Sequence, residues 1–487
     1  MTRLWHWTQV LYLLSCLLSV SWATKGNILS FENTAIVRTV ELGGSLVAVT
    51  TTYAIQAVTG DTSEYIVALS EAEHGVTSWI EATLKGSVDP LQLKPLGYKH
   101  DYAAHLYSIT LPQVPVKGET TSLVLETVQT KATYPWPPSS PQGGEQLLKY
   151  ESDLLVISPY VTSVQRTKVR GPASIRSFTT PEGLEAFTDE PTAVQAGSVV
   201  TYGPYKNIPA SANPFFAEES QKRILIHYEF NEGVLTVVKL QRAAEISHWG
   251  SNLNIENQIL LRNTGPTLKG HFSRLDHQFQ GHYHSAAAQS IRSVPMLLPA
   301  GINTPYYYDL IGNVSTSRFR PSRSGKSRTL QFSYLDLRPR YPLLGGWNYS
   351  FTLGWDAPLS DSAKWDAKTG RYIIGVPYWT PITGSYVEEA EVKIVLPEGA
   401  TDVEVFPPFN PLTVNRTVHT SYLDTTGRPA IILTNTRITD RHTGVIYVTY
   451  KVPFTAHLKK PIAVAAATFS VFVLALAARR VDPRIHK

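Results

Sequence analysis

Cysteine is almost absent from this chain: the single one, Cys16, lies in an apolar run close to the N-terminus. If that run is a cleaved leader, the remaining chain closes no disulfide, offers no thiolate to a metal and has no cysteine nucleophile. Its stability must then come from packing and hydrogen bonding. A large excess of one charge is lacking as well, because 44 Lys+Arg against 39 Asp+Glu leave a formal +5. Part of that excess flanks a C-terminal apolar run, so nucleic acid is not an implied partner. Missing too are a G-x-S-x-G elbow, an H-E-x-x-H pair, a P-loop, a G-x-G-x-x-G turn and Asp-x-Asp. Scattered Asp and Glu residues could meet in space as an acid/base pair, although solvated carboxylates are the simpler reading. No catalytic residue, metal ligand or cofactor is assigned.

What the chain does have is one long uncharged run, Pro461 to Ala478 (PIAVAAATFSVFVLALAA). As a helix it would extend about 27 Å, close to the hydrocarbon thickness of a thin bilayer. Lys459 and Lys460 precede it; Arg479, Arg480, Arg484 and Lys487 follow. The positive-inside bias puts that short tail in the cytosol and everything before the span on the other side. A buried core helix is the alternative, but such helices are rarely so uniformly apolar between cationic flanks. At the other end, Arg3 precedes Val10 to Val20, and Ser21, Trp22 and Ala23 form a peptidase site with cleavage between Ala23 and Thr24. A retained signal anchor competes with this reading. The topology is that of a single-pass type I protein.

Between these ends the sequence reads as mainly β. TAIVRTVEL and SLVAVTTTYAIQAV are rich in Val, Ile and Thr and are separated by Gly43 and Gly44. HLYSITLPQ, TSLVLETVQT and DLLVIS read likewise as strands, and Ser211 to Gln221 is one of few helical candidates. Prolines in Tyr134 to Gly144 (YPWPPSSPQGG) forbid a central strand and imply a surface loop. The pattern restarts near Leu240: Val37 to Gly60 echoes Leu240 to Gly265, matching Arg38 with Arg242 and Glu41 with Glu245. Leu111 to Thr127 echoes Leu337 to Leu353, and SPYVTSVQRTKVRGP echoes VPYWTPITGSYVEEAEVKIVLPEG. Such echoes in the same order imply two tandem β-rich lumenal domains followed by one transmembrane helix. The expected division is a signal peptide over 1–23, β domains over 24–230 and 231–458, the span with its lumenal flank over 459–478, and a cytosolic tail over 479–487.

Three sequons, at Asn313, Asn348 and Asn415, lie on the expected lumenal side and are candidate N-glycosylation sites, Asn313 foremost because its surroundings read as an exposed turn. His271, His277, His282 and His284 cluster, but Gly281 and the polar residues around them read as a flexible loop rather than a metal site. The basic run Arg318 to Arg328 reads as a solvated loop, with an anionic headgroup or pyrophosphate contact as the sharper alternative. In the span, Ala463, Ala466, Ala467 and Ser470 make a small-residue face on which another helix could pack.

Long stretches of this sequence resemble the ribophorin I family, the alpha subunit of oligosaccharyltransferase. They include EISHWGSNLNIENQILLRNTGPTLKGHFSRLDHQ, YYYDLIGNVSTS, LRPRYPLLGGWNYSFTLGW, VKIVLPEGA and SYLDTTGRPAIIL, with VRTVELGGSLVAVTTTY and YGPYKNIPA in the first half. The resemblance implies a non-catalytic subunit of the complex that N-glycosylates nascent polypeptides in the endoplasmic reticulum lumen. Its implied partners are a polytopic catalytic subunit, the other subunits, the nascent polypeptide and the membrane, with support of assembly and acceptor presentation as roles. The Trp-Trp-Asp-Tyr-Gly motif of the catalytic subunit is absent; GWDAPL at Gly354 is only a fragmentary echo. The sequence stops at Lys487, as in a fungal-type short form without a cytosolic extension, and shows no dilysine retrieval signal. A free-standing lumenal chaperone or lectin and a membrane-anchored hydrolase remain as alternatives.

Overall fold

Period-two burial sets up the first hairpin. Ile36, Arg38, Val40 and Leu42 face inward along Phe31–Leu42 while Val37 and Glu41 face out, and Leu46–Ala57 pairs antiparallel across the Gly43–Gly44 turn. Gly44 is needed there because a Cβ would meet the Phe230 ring at 2.6 Å. A computed structural model describes residues 30–480 except 284–287, 303, 323–331 and 422–423.

This hairpin lies within a 7-stranded sheet ordered Ala193–Ala196, Val199–Ile208, Thr162–Arg170, Phe31–Leu42, Leu46–Ala57, Thr120–Thr130, Thr77–Leu84. One pairing is parallel, Phe31–Leu42 with Thr162–Arg170; the others are antiparallel. Beside it stand a 3-stranded sheet (Glu64–Ser70, Ala104–Thr110, Leu93–Lys99) and a 4-stranded sheet (Ile175–Phe178, Arg223–Glu229, Leu147–Asp153, Thr133–Pro135).

After Leu235 the whole arrangement is repeated. The second 7-stranded sheet runs Thr413–His419, Arg428–Ile438, Tyr386–Val395, Leu235–Ser247, Asn252–Asn263, Asn348–Pro358, Tyr306–Asp309, again with a single parallel pairing, between Leu235–Ser247 and Tyr386–Val395. Its companions are Val294–Leu298, Ser333–Leu337, Arg318–Arg320 and Thr401–Phe406, Val445–Lys451, Arg371–Pro377, Ala363–Asp366. Within these three sheets the strands of the two halves correspond one for one, in chain order and in pairing direction. The register makes Arg38 and Arg242 counterparts: each is buried in the first strand, opposite Thr51 and Asn257, and those residues face Leu125 and Leu353. Leu353 thus corresponds to Leu125, two residues from the Thr127 that the sequence echo matched to it.

Other expectations are corrected. DLLVIS is strand only up to Asp153. Beyond it the chain is irregular yet buried, its amides served by side chains: Gln165 accepts from Val156 N at 3.0 Å, and Gln221 accepts from Leu155 N at 3.0 Å while donating to Leu155 O at 2.8 Å. Part of the histidine-rich stretch is helix, Arg274–Tyr283, rather than flexible loop. The basic run begins as an edge strand, Arg318–Arg320; its residues 323–328 lie outside the described ones. The candidate helix at Ser211 to Gln221 is one short helix, Pro214–Glu219, capped by Asn213.

Candidate functional site

The proline-rich stretch after Tyr134 is where the halves are clasped. Ser139–Pro141 pairs in parallel with Thr267–Lys269, Thr267 N donates to Pro138 O at 2.9 Å, and Gln142 and Ser273 exchange two hydrogen bonds of 2.8 Å. Proline limits this piece to a two-stranded edge pairing, which suits a strap. Elsewhere along the joint Arg437 donates to Gly75 O at 2.6 Å, Arg441 meets Glu126 at 3.1 Å and Lys131 meets Glu388 at 3.0 Å. The His442 ring stands edge-on to Trp79 at 4.9 Å, and burial lowers its pKa to about 4. Its Nδ1 is an acceptor for Thr439 N at 3.1 Å, so the neutral ring holds this turn.

The paired arginines differ in their surroundings. Arg242 donates to Asn257 at 2.7 Å, Pro377 O at 2.8 Å and Thr380 at 2.6 Å, and lies over the Trp355 ring at 5.8 Å. Burial lowers its pKa to about 9, which leaves it charged at neutral pH. Arg38 instead pairs with Glu73, at a cavity of about 200 Å³ that Lys131, Glu151, Asp153 and Arg223 also line. Within it Arg38 pairs with Glu73 and Arg223 approaches Glu151 at 3.7 Å, whereas Lys131 turns to Glu388 and Asp153 accepts from Ser70 at 2.6 Å.

The C-terminal helix, Phe454–Arg480, starts before Pro461 and passes through it. Its foot is docked on the second half. Ala456 is buried against Gly399, where a Cβ would come within 2.6 Å. Lys460 Nζ reaches Asp424 at 2.7 Å; that carboxylate also accepts from Ser421 N at 2.7 Å and Arg428 at 3.1 Å. Burial would raise the Asp424 pKa, but the Lys460, Ser421 and Arg428 contacts prevail and lower it. The neighbouring Glu398 accepts four hydrogen bonds from Thr425 and Thr426, between 2.7 and 3.0 Å. His248, in the Ser247–Asn252 turn, contacts the His457 ring at 5.4 Å and Tyr450 Oη at 2.8 Å. Lys460, read from sequence only as a membrane flank, is a structural contact; no local pattern announces Asp424, its partner.

The three sequon asparagines are all exposed. Asn313 lies in a turn that Arg340 ties together by bonding Asp309 at 2.7 and 2.9 Å and the carbonyls of Gly312 and Asn313. That bonding holds the Asp309 pKa below the ordinary carboxylate range. Asn348 begins a strand, and Asn415 is on the edge strand Thr413–His419. Along the helix Ala463, Ala466, Ala467 and Ser470 are exposed, and the Ser470 hydroxyl donates to Ala466 O at 2.8 Å. Ala23, Thr24 and His284 lie outside the described residues.

A duplicated β architecture, clasped at its centre and contacting, through Ala456 and Lys460, a helix long and apolar enough to cross a bilayer, fits a membrane-anchored β protein. The Ribophorin I family model matches residues 31–479, and the chain belongs to that family. It is 33% identical over 78% of its length to dolichyl-diphosphooligosaccharide–protein glycosyltransferase subunit 1B of Arabidopsis thaliana, covering 76% of that protein. With subunit 1 of Caenorhabditis elegans the identity is 30% over 91% of the chain and 71% of the relative. Among solved structures, native yeast LTA4 hydrolase aligns at a TM-score of 0.26 and 10% identity, covering 41% of this chain and 29% of that one.

Proposed function

We propose that this chain is a non-catalytic, single-pass type I subunit of the oligosaccharyltransferase complex in the endoplasmic reticulum membrane. Its duplicated β ectodomain is lumenal, divided near residue 230, and carries N-glycans at Asn313, Asn348 and Asn415. Its span packs against other subunits through Ala463, Ala466, Ala467 and Ser470, and its ectodomain supports the assembly beside a polytopic catalytic partner and the acceptor polypeptide. The observation that carries this reading is family membership across nearly the entire chain, since the relatives are named as subunits of that glycosyltransferase. The docked helix foot agrees with a supporting role. A span fixed to its ectodomain passes the position of neighbouring membrane helices to the lumenal surface, which a loose tether would not do. The strongly shifted Asp309 and Glu398 are engaged by Arg340 and by Thr425 and Thr426, as structural groups are.

The test is affinity purification of the tagged chain in a mild detergent, with partner identification and a glycan-transfer assay. Co-purification with a polytopic subunit and transfer activity that depends on that subunit are the expected outcome. A monomer that hydrolyses substrate or binds glycan by itself would replace this reading with the hydrolase or lectin alternative.

A further inference from the structure

The helix foot fixes where the bilayer begins relative to the second half of the protein. Residues 456–460 are held by Gly399, His248 and Asp424, and the uncharged segment follows at once. Surface loops packed around these residues therefore lie at the level of the lipid headgroups. One is the Ser247–Asn252 turn, whose His248, together with Trp249, lines a cavity of about 90 Å³ with Ala456, His457 and Lys460. Trp249 is 63% exposed at the tip of that turn, and Phe454 on the helix is 74% exposed. The turn is braced: Ser247 Oγ accepts from Gly250 N at 3.0 Å, Leu359 N donates to Ser251 O at 2.9 Å, and His248 contacts Tyr450 and His457. A braced turn offers its aromatic ring at little entropic cost. Of the carboxylates of the foot, Asp424 is paired with Lys460 and Arg428, and Glu398 is buried, with Oε1 accepting from Thr425 and Thr426, so neither presents an exposed carboxylate to the lipid. Lys459 adds a cation at the same level.

We infer that the Trp249 turn is a second membrane contact, seated in the phospholipid headgroup layer beside the span. Tryptophan favours this layer because its ring is apolar and its N–H polar, and interfacial contacts enter about 5–10 Å. The occupant is the lipid interface, reached by continuity with the helix. The consequence is a fixed tilt of the second half over the bilayer. The inference rests on the reading of Phe454–Arg480 as a span.

The near absence of cysteine supplies the experiment. In the full chain with Cys16→Ser, Trp249→Cys, Val116→Cys and Ala467→Cys are made separately, spin-labelled and reconstituted into phosphatidylcholine vesicles. Val116, 72% exposed in the first half, is the aqueous control and Ala467 the span control. Collision rates with oxygen, which concentrates in lipid, and with a water-soluble nickel complex are read. The label at 249 is expected to show a several-fold loss of nickel collisions relative to 116 and a gain in oxygen collisions, approaching 467. If 467 behaves as lipid-embedded and 249 matches 116, the turn is not a membrane contact, although the span stands. If 467 itself is aqueous, the span reading fails and this inference with it.

Discussion

Lys460 and Asp424 meet at 2.7 Å, the lysine at the start of the membrane helix and the aspartate with a fully buried side chain on the second β half. The pair ties the anchor to the ectodomain. Asp424→Asn leaves Lys460 and Arg428 without their shared counter-charge, and charged hydrogen bonds of this kind contribute about 1.5–3 kcal/mol. A lower apparent melting temperature of the detergent-solubilised chain and faster proteolysis between residues 452 and 460 are expected. Because the Asp424 pKa is lowered by folding, its contribution is full above the unfolded carboxylate range and is lost as pH falls through the folded value. An unchanged melting temperature and cleavage pattern would mean that the foot is held by the Ala456 packing alone.

His442 makes the joint between the halves sensitive to acid. Its pKa falls from 6.5 to about 4 on burial, so between these values the unfolded chain takes up a proton that the folded chain does not. Stability therefore declines as pH is lowered through that window. His442→Gln should flatten the dependence in denaturant midpoints measured from pH 7 to 4.5, at some cost in stability from the lost Thr439 contact. A slope identical to that of the parent chain would assign the dependence elsewhere, His248 being the next group to test.

Glycan occupancy is expected at Asn313, Asn348 and Asn415, since each is exposed on one side of the anchor. Endoglycosidase should increase gel mobility, and each Asn→Gln change should remove one step of that shift. Asn313→Gln alone should leave transfer activity largely intact, because the glycan solubilises a surface. No shift in the parent chain would contradict the lumenal assignment.

The small-residue face of the span is expected to be a helix contact. Ala463→Leu with Ala467→Leu raises hydrophobicity and favours insertion, yet obstructs close approach. The double variant should insert normally and be recovered with partner subunits several-fold less well in mild detergent. Unchanged recovery would reduce the helix to a tether.

Arg242 should be far less replaceable than a surface arginine. Arg242→Leu strands buried acceptors on Asn257, Pro377 and Thr380, at about 1–3 kcal/mol each. Loss of soluble, folded second half is expected, read by expression and protease resistance. Tolerance of the change would show that waters reach this strand.

The sequence by itself determined what depends on local pattern. Alternating Val, Ile and Thr made strands, Gly43 and Gly44 placed a hairpin, the run from Pro461 made a membrane-length helix, and the echo between Arg38 and Arg242 disclosed the repeat. Pairing decided by partners far along the chain was not legible. Leu155 and Val156 read as strand, yet Gln221 and Gln165 claim the amides a neighbouring strand would have taken. The prolines after Tyr134 read as surface loop, and only tertiary packing made them the clasp with Thr267–Lys269. Lys460 looked like any cation beside a membrane. Its role rests on a buried carboxylate 36 residues earlier in the chain, and separations of that kind are set by how the sheets fold, because side-chain periodicity records which face is buried but not what covers it.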